Sequence, residues 1–438
     1  MSAVKTSSAK NDIYRPYLTI NTNSALSNPV KDNGITRKYP YPKIAIYNGP
    51  GASHSWLWFV EILDGMGFWD IEFVDNSYII DKGLNHLHVL LVSGGDTFAI
   101  AESLGRKGAE KIKNFIDNGG LYIGSCAGAY LPLRSSLPPL NLFNLASAKI
   151  SNLTKTLPAT ITLPEKFCTS YGCKYVFHPV REEVKISLTD SSFHPQNTDL
   201  IAPLYGGPSF IPSEDVSTVA SYNGFTEKTL FLTERQLAYT TLIGNAAIIT
   251  KRLGKGHLFL MGPHLEHPHY PEANTFIADI IHHVMHEQED HRYTPAPVIR
   301  SSIDRKVTTL WRDIKSEVSN SRIVALSLEK TPVTWQIGHK VYEPVKISAF
   351  LESIWSRFPH IEQSRKYVDI DLLLNLKNAF KRNTQLIREI KRSVTNNIDT
   401  TDNASLLFSD IKDSCADYLR IYFNYKLCSL RDGILSNN

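Results

Sequence analysis

Leu121 to Tyr130 reads LYIGSCAGAY, an apolar strand running into a turn of small residues that presents one cysteine, Cys126. Gly124 and Gly128 flank it in a G-x-C-x-G pattern. A nucleophile on a sharp strand-to-helix turn needs small neighbours, because the backbone bends tightly there and a substrate has to come close. The N-terminal N–H groups of a following helix would face the sulfur and favour its thiolate. Taken alone, a cysteine in a glycine-rich turn is more readily a buried core residue. The surrounding sequence has to decide between the two.

Outward from this stretch, short apolar strands alternate with amphipathic helices. Lys43 to Tyr47 reads as a strand ending in the turn Asn48-Gly49-Pro50-Gly51, and Ser53 or Ser55 is placed to cap a helix from about Trp56 to Gly65. Strands are expected at Ile71 to Val74 and His88 to Val92, the second ending at Ser93-Gly94-Gly95-Asp96. Ala109 to Asn118 puts Ile112, Phe115 and Ile116 on one helical face, and Gly119-Gly120 stops it. Residues 135–245 are richer in Pro, Thr and Tyr and suggest extra strands and long loops. A hairpin follows, Ala246 to Arg252 and His257 to Met261 around Gly254-Lys255-Gly256, leading into Gly262-Pro263-His264-Leu265-Glu266. Glu272 to about Met285 reads as a helix. The pattern predicts an α/β fold of βαβ units on a doubly wound, mostly parallel sheet, with its site at the strand C-terminal ends.

Thr294-Pro295-Ala296-Pro297 reads as a linker. Beyond it the period changes to 3.6. Ile303, Val307, Leu310, Trp311, Ile314 and Val318 share one face; Leu373, Leu376, Phe380, Ile387, Ile390 and Val394 another; and Leu407, Phe408, Ile411, Cys415, Tyr418, Leu419 and Tyr422 a third. The expected organisation is therefore a flexible arm at 1–40, where Ser, Asn, Lys and Thr dominate, an α/β domain at 41–290, and a mostly α-helical C-terminal domain at 298–438.

Composition narrows the class. The 438 residues exceed one ordinary core. With 42% hydrophobic and 21% charged residues the chain reads as a globular protein, and a net charge of +4 is too weak and dispersed for nucleic acid. No apolar run is long enough to span a bilayer, and the N-terminus MSAVKTSSAK lacks the apolar core of a secretory signal, so a cytoplasmic location is expected. The five cysteines, Cys126, Cys168, Cys173, Cys415 and Cys428, show no paired ligand spacing, and Cys168 and Cys173 read as structural. No metal and no cofactor is expected.

A thiol nucleophile needs a base, and the base an orienting group. His264 and Glu266 supply such a pair, two residues apart at the end of a strand where alternate side chains face one way. The roles that follow are Cys126 as nucleophile, His264 as general base and then acid, and Glu266 as the group that fixes the imidazole tautomer. Gly94 and Gly95, with the N–H of Ala127, are candidates for an oxyanion hole. Gly51, Ser53, Tyr130, Tyr205 and Gly206 border the same turns as candidate pocket residues. A competing reading of His264, His267 and His269 as a metal cluster lacks a completing carboxylate or cysteine at a recognised spacing.

Five motifs occur in order: IYNGPGAS at Ile46 to Ser53, LLVSGGDT at Leu90 to Thr97, YIGSCAGAYL at Tyr122 to Leu131, YGGPSF at Tyr205 to Phe210, and GKGHLFLMGPHLE at Gly254 to Glu266. Together they resemble the amidotransferase-like N-terminal domain of eukaryotic biotin–protein ligases and its stand-alone relatives, within the class I glutamine amidotransferase superfamily. The resemblance covers about Lys43 to Met285. It implies a Cys126, His264, Glu266 triad on a flavodoxin-like sheet, in agreement with the residue-level reading. The chain departs from these relatives in three places. No loop of the type G-R-G-R-x-G follows Met285, so biotin ligation is not expected. Ala127-Gly128-Ala129-Tyr130 replaces the Leu-Gly and later Gln of glutamine-hydrolysing members, and His264-Leu265-Glu266 replaces His-Pro-Glu.

The expectation is a cysteine-dependent amidase or amidotransferase-like hydrolase acting through a thioester on a small-molecule or peptide carboxamide. The alternative is a non-catalytic binding or regulatory module that keeps the fold and meets a protein partner through its C-terminal helices. A peptidase or small-aldehyde hydratase, as elsewhere in the superfamily, is compatible with the same motifs. Neither a nucleic-acid nor a membrane partner is expected.

Overall fold

The computed structural model describes residues 2–26, 28, 30–32, 35–37, 41–151, 179–189, 199–287, 305–361 and 368–432, with the backbone alone at 2–9, 30–32 and 35–37. Cys168, Cys173, Ile303 and the expected linker at 294–297 lie outside the described residues. The chain divides into two compact units, one of residues 1–68 and 74–293, the other of 69–73 and 294–438.

The first unit opens with helix α1 (Ser2–Ala25) and the small hairpin β1 (Val30–Asp32) and β2 (Ile35–Arg37). The alternating part follows: β3 (Ile44–Tyr47), α2 (Trp56–Gly65), β4 (Ile71–Val74), of which 71–73 cluster with the second unit, α3 (Asn76–Asp81), β5 (Val89–Val92), α4 (Thr97–Asp117), β6 (Leu121–Ser125) and the single turn α5 (Ala127–Tyr130). Then come β7 (Ala148–Ser151), β8 (Val180–Leu188), β9 (Asp199–Leu204), β10 (Ser209–Pro212), β11 (Ser217–Phe225), β12 (Leu230–Phe231), α6 (Arg235–Leu242), the hairpin β13 (Ala246–Leu253) and β14 (Gly256–Met261), and α7 (Pro271–Glu287).

Strands β3, β5, β6 and β14 lie side by side and parallel, in the neighbour order of flavodoxin-like winding. Every residue of β3, β5 and β6 is buried, as expected of parallel strands with both faces covered. Antiparallel strands extend the sheet beyond β14 through β13, β11 and β8, with β7, β9, β10 and β12 attached. The extra strands expected between 135 and 245 are β7 to β12. The fold class is thus α/β, a doubly wound parallel core with an antiparallel extension and a helical C-terminal region. Pairing of Leu253 with Gly256 leaves Gly254-Lys255 as the hairpin turn, with Gly254 at φ +59.

Two elements differ from the sequence reading. Helix α4 starts twelve positions before the expected Ala109. Asp96 caps it, accepting from the Phe98 and Ala99 N–H groups at 3.1 and 3.2 Å, and Gly105 at φ +54 interrupts it. That break hides the first half from a periodicity search.

Residues 2–25, expected as part of a flexible arm, form a helix that packs on α2 and α7. Its anchors are polar rather than an apolar stripe, so hydrophobic periodicity does not reveal it. Tyr14 OH donates to Asn274 Oδ1 at 2.5 Å, Tyr17 OH to Asp279 Oδ1 at 2.7 Å, and Asn21 Nδ2 to the Met66 carbonyl at 2.8 Å.

The second unit contains α8 (Arg305–Leu328), the hairpin β15 (Trp335–Ile337) and β16 (Lys340–Tyr342), α9 (Pro344–Trp355), α10 (Phe358–Ile361), α11 (Ile370–Thr395) and α12 (Thr401–Arg431). The apolar faces read from the period are its core: Val307, Leu310, Trp311, Ile314 and Val318 on α8, and Leu373, Leu376, Phe380, Ile387 and Ile390 on α11, are all buried. Val394, one turn further, is only half-buried. Buried polar pairs fix the helix registers, Asn383 Nδ2 donating to Ser414 Oγ at 3.0 Å and Trp335 Nε1 to Thr400 Oγ1 at 2.8 Å.

Candidate active site

Cys126 sits between β6 and α5 at φ +50, ψ −108, a left-handed conformation uncommon for a non-glycine residue. Its neighbours explain how that geometry is held. A Cβ on Gly124 would lie 2.2 Å from the Gly128 carbonyl oxygen, and one on Gly128 would lie 2.0 Å from that of Val92. The G-x-C-x-G spacing is therefore a close-approach requirement on both sides of the thiol. The Cys126 N–H donates to the Met261 carbonyl at 3.0 Å and that of Gly128 to Ser93 at 3.1 Å, tying the turn to both flanking strand ends. The expected helix after Cys126 is a single turn, because the chain reaches Pro132 directly after Leu131. Its dipole is correspondingly small, and charge at the sulfur depends on side chains.

Parallel pairing of β14 with β6 places the segment after Met261 beside the elbow. His264 and Glu266 are buried there, and His264 Nδ1–H donates to Glu266 Oε1 at 2.7 Å. The ring and Cys126 border Gly94 together, and the cysteine acts on the charge of the imidazole. Burial alone opposes a charged imidazole. The adjacent Glu266 carboxylate outweighs it and the cysteine adds to the effect, so the His264 pKa is pushed up to about 9. The sequence-predicted cysteine, histidine and glutamate thus converge.

The backbone opposite them is held by the candidate loop residues. Gly94 has no room for a side chain: a Cβ would stand 2.9 Å from His264 Cε1 and 3.5 Å from Cys126 Cβ. Its carbonyl accepts from Ser53 Oγ at 2.9 Å and Ser55 Oγ at 3.1 Å. The Gly51 carbonyl accepts the Asp96 N–H at 2.8 Å and lies 2.0 Å from where a Gly95 Cβ would stand. Gly51 and Ser53 therefore shape the loop from behind. Among the described residues the N–H groups of Gly94, Gly95 and Ala127 donate no backbone hydrogen bond outside regular elements. The Tyr205 carbonyl accepts from Cys126 Sγ at 4.0 Å, and the carbonyl of Gly206, which is at φ +92, accepts from Tyr130 OH at 3.1 Å.

Four contributors escaped the sequence reading. Trp58 meets the His264 ring edge-on with centroids 5.1 Å apart and the His267 ring at 4.5 Å. Burial, with the neighbouring His269 and His264, pushes the His267 pKa down to about 3, so this ring is neutral. Ser125 Oγ donates to Glu266 Oε1 at 2.6 Å. Asn274 Nδ2 donates to the carbonyls of Leu265 and His267, at 2.5 and 3.0 Å, and so grips the chain on both sides of Glu266, while Tyr14 in turn holds Asn274. The available signal was polar residues in apolar settings, Ser125 ending a buried strand and Asn274 within the apolar stripe of α7. No cluster of metal-binding side chains occurs among the described residues. No described helix is long and apolar enough to cross a membrane.

These features define an α/β unit with a cysteine elbow facing a buried histidine–glutamate pair. Residues 42–136 match the family model described as "Biotin-protein ligase, N terminal", so the resemblance carried by the first three motifs holds over that segment. Over 235 residues, 51% of this chain, the sequence is 28% identical to the biotin–protein ligase of Schizosaccharomyces pombe, of whose length the match spans 33%. Over 199 residues it is 27% identical to an uncharacterized protein of Chlamydia muridarum, covering 44% of this chain and 67% of that one. Among solved structures, a glutamine amidotransferase of Thermotoga maritima aligns over 51% of this chain and 76% of its own, at 9% identity and a TM-score of 0.32.

Proposed function

We propose that the first unit is a cysteine-dependent, amidotransferase-like hydrolase of a carboxamide or peptide-type bond. The observation that carries this reading is the left-handed Cys126 at a strand end, beside Gly94 together with a buried imidazole whose Nδ1 is held by Glu266. An imidazolium beside the thiol favours thiolate. Sulfur attacks the substrate carbonyl carbon, forming a C–S bond, and the oxyanion is received by the N–H groups of Gly94, Gly95 and Ala127. Collapse breaks the C–N bond, and the His264 proton passes to the departing ammonia or amine. Water, deprotonated by His264, then cleaves the thioester to release the acid and the free thiol.

Trp58 covers the imidazole, and neutral His267 adds no competing positive charge to the cluster. The test is ammonia or amine release from a panel of carboxamides and short peptides. The wild-type protein is expected to turn over at least one member and Cys126→Ser none. Equal turnover by a folded Cys126→Ser variant would refute the assignment. The whole-protein activity of the Schizosaccharomyces pombe relative is not carried over, since the match spans only a third of it.

A further inference from the structure

We propose that Ser125 is a positioning residue for this site, holding through its hydroxyl the carboxylate that orients His264. The inference rests on the reading of Cys126 as the nucleophile. Ser125 and Glu266 are both fully buried. Glu266 Oε1 accepts two hydrogen bonds, from Ser125 Oγ at 2.6 Å and from His264 Nδ1 at 2.7 Å, while Oε2 has no partner among the described residues.

A carboxylate held by the imidazole alone is free to turn about its Cγ–Cδ bond, and in a dry interior it has a single donor to offset lost hydration. The second donor, arriving from another strand, fixes the carboxylate plane and keeps the charge compensated. The arrangement follows from the elbow itself. Adjacent strand residues face opposite ways, but the positive φ at Cys126 redirects the chain, so the Ser125-Cys126 dipeptide grips the histidine–glutamate pair at both ends. Sulfur meets the imidazole, and the hydroxyl meets the carboxylate. Pairing of Met261 with Ser125 sets the register that makes this reach possible.

Valine and threonine have nearly the same shape and differ by the hydroxyl, so Ser125→Thr and Ser125→Val load the core alike and separate packing from hydrogen bonding. The readout is the iodoacetamide alkylation rate of Cys126, located by peptide mapping, across about pH 5 to 10. Ser125→Val and Ser125→Ala are expected to slow alkylation near neutral pH by about tenfold and to move the profile toward that of an ordinary thiol, with pKa about 8.5. Ser125→Thr is expected to stay close to wild type. In a Glu266→Gln background, Ser125→Ala should have no further effect.

Wild-type rate and profile in both hydroxyl-free variants, or the same tenfold loss on top of Glu266→Gln, would overturn the role of Ser125 while leaving the nucleophile in place. A wild-type Cys126 that alkylates no faster than an ordinary thiol would instead remove the underlying reading, and this inference with it.

Discussion

At the scale of single residues, the charge state of His264 links the site to stability. Its pKa is near 6.5 in an unfolded chain and about 9 here. A base whose folded pKa is raised stabilises the fold fully below about pH 6.5, and that contribution is lost as pH rises through about 9. The shift corresponds to a loss on the order of 3 kcal/mol. Urea unfolding of the wild-type protein is therefore expected to weaken between about pH 7 and 10, and His264→Gln to flatten that dependence. An unchanged slope in the variant would show that other groups govern the alkaline limb. Cys415 provides the contrast to Cys126, for burial in α12 pushes its thiol far above the ordinary range.

Among elements, the elbow and its opposing pair were legible in the sequence, because each rests on a local pattern. Gly124 and Gly128 mark close backbone approach, and His264 and Glu266 share a face through strand alternation. Contributors from distant elements were not legible. Trp58 reaches the imidazole from α2, and Asn274 steadies the Glu266 segment from α7. Tyr14 does so from a helix read as a flexible arm, since its packing surface is made of hydrogen-bonding side chains instead of a stripe. If α1 supports the site in this way, Tyr14→Phe leaves the Asn274 carbonyl oxygen buried without its donor. The expected result is a loss of about 1–3 kcal/mol in unfolding free energy and slower Cys126 alkylation. A variant as stable as wild type would reduce α1 to an accessory.

For the whole molecule, the chain crosses more than once between the unit that carries the candidate site and the helical unit. Residues 69–73 cluster with the helices. Arg420 Nη2 donates to the Phe73 carbonyl at 2.7 Å, and the Phe73 and Phe423 rings lie 6.3 Å apart. No sequence period signals so short a segment leaving its neighbours. A fragment of residues 294–438 is expected to be helical but to lack this anchor. Arg420→Ala should accordingly destabilise the full chain by about 1–2 kcal/mol and the fragment by much less, as read from thermal melts. Equal losses in both would mean that the arginine acts only within the helices.

Activation of Cys126 by His264 and Glu266 is what the proposed chemistry requires. The direct measurement is the rate of iodoacetamide labelling at Cys126 near pH 6.5, followed by intact mass and peptide mapping, for wild type, Cys126→Ser and His264→Gln. Labelling of wild type well above the rate of an ordinary thiol, absent in Cys126→Ser and greatly slowed in His264→Gln, is the expected result. Equal, slow labelling of wild type and His264→Gln would contradict it.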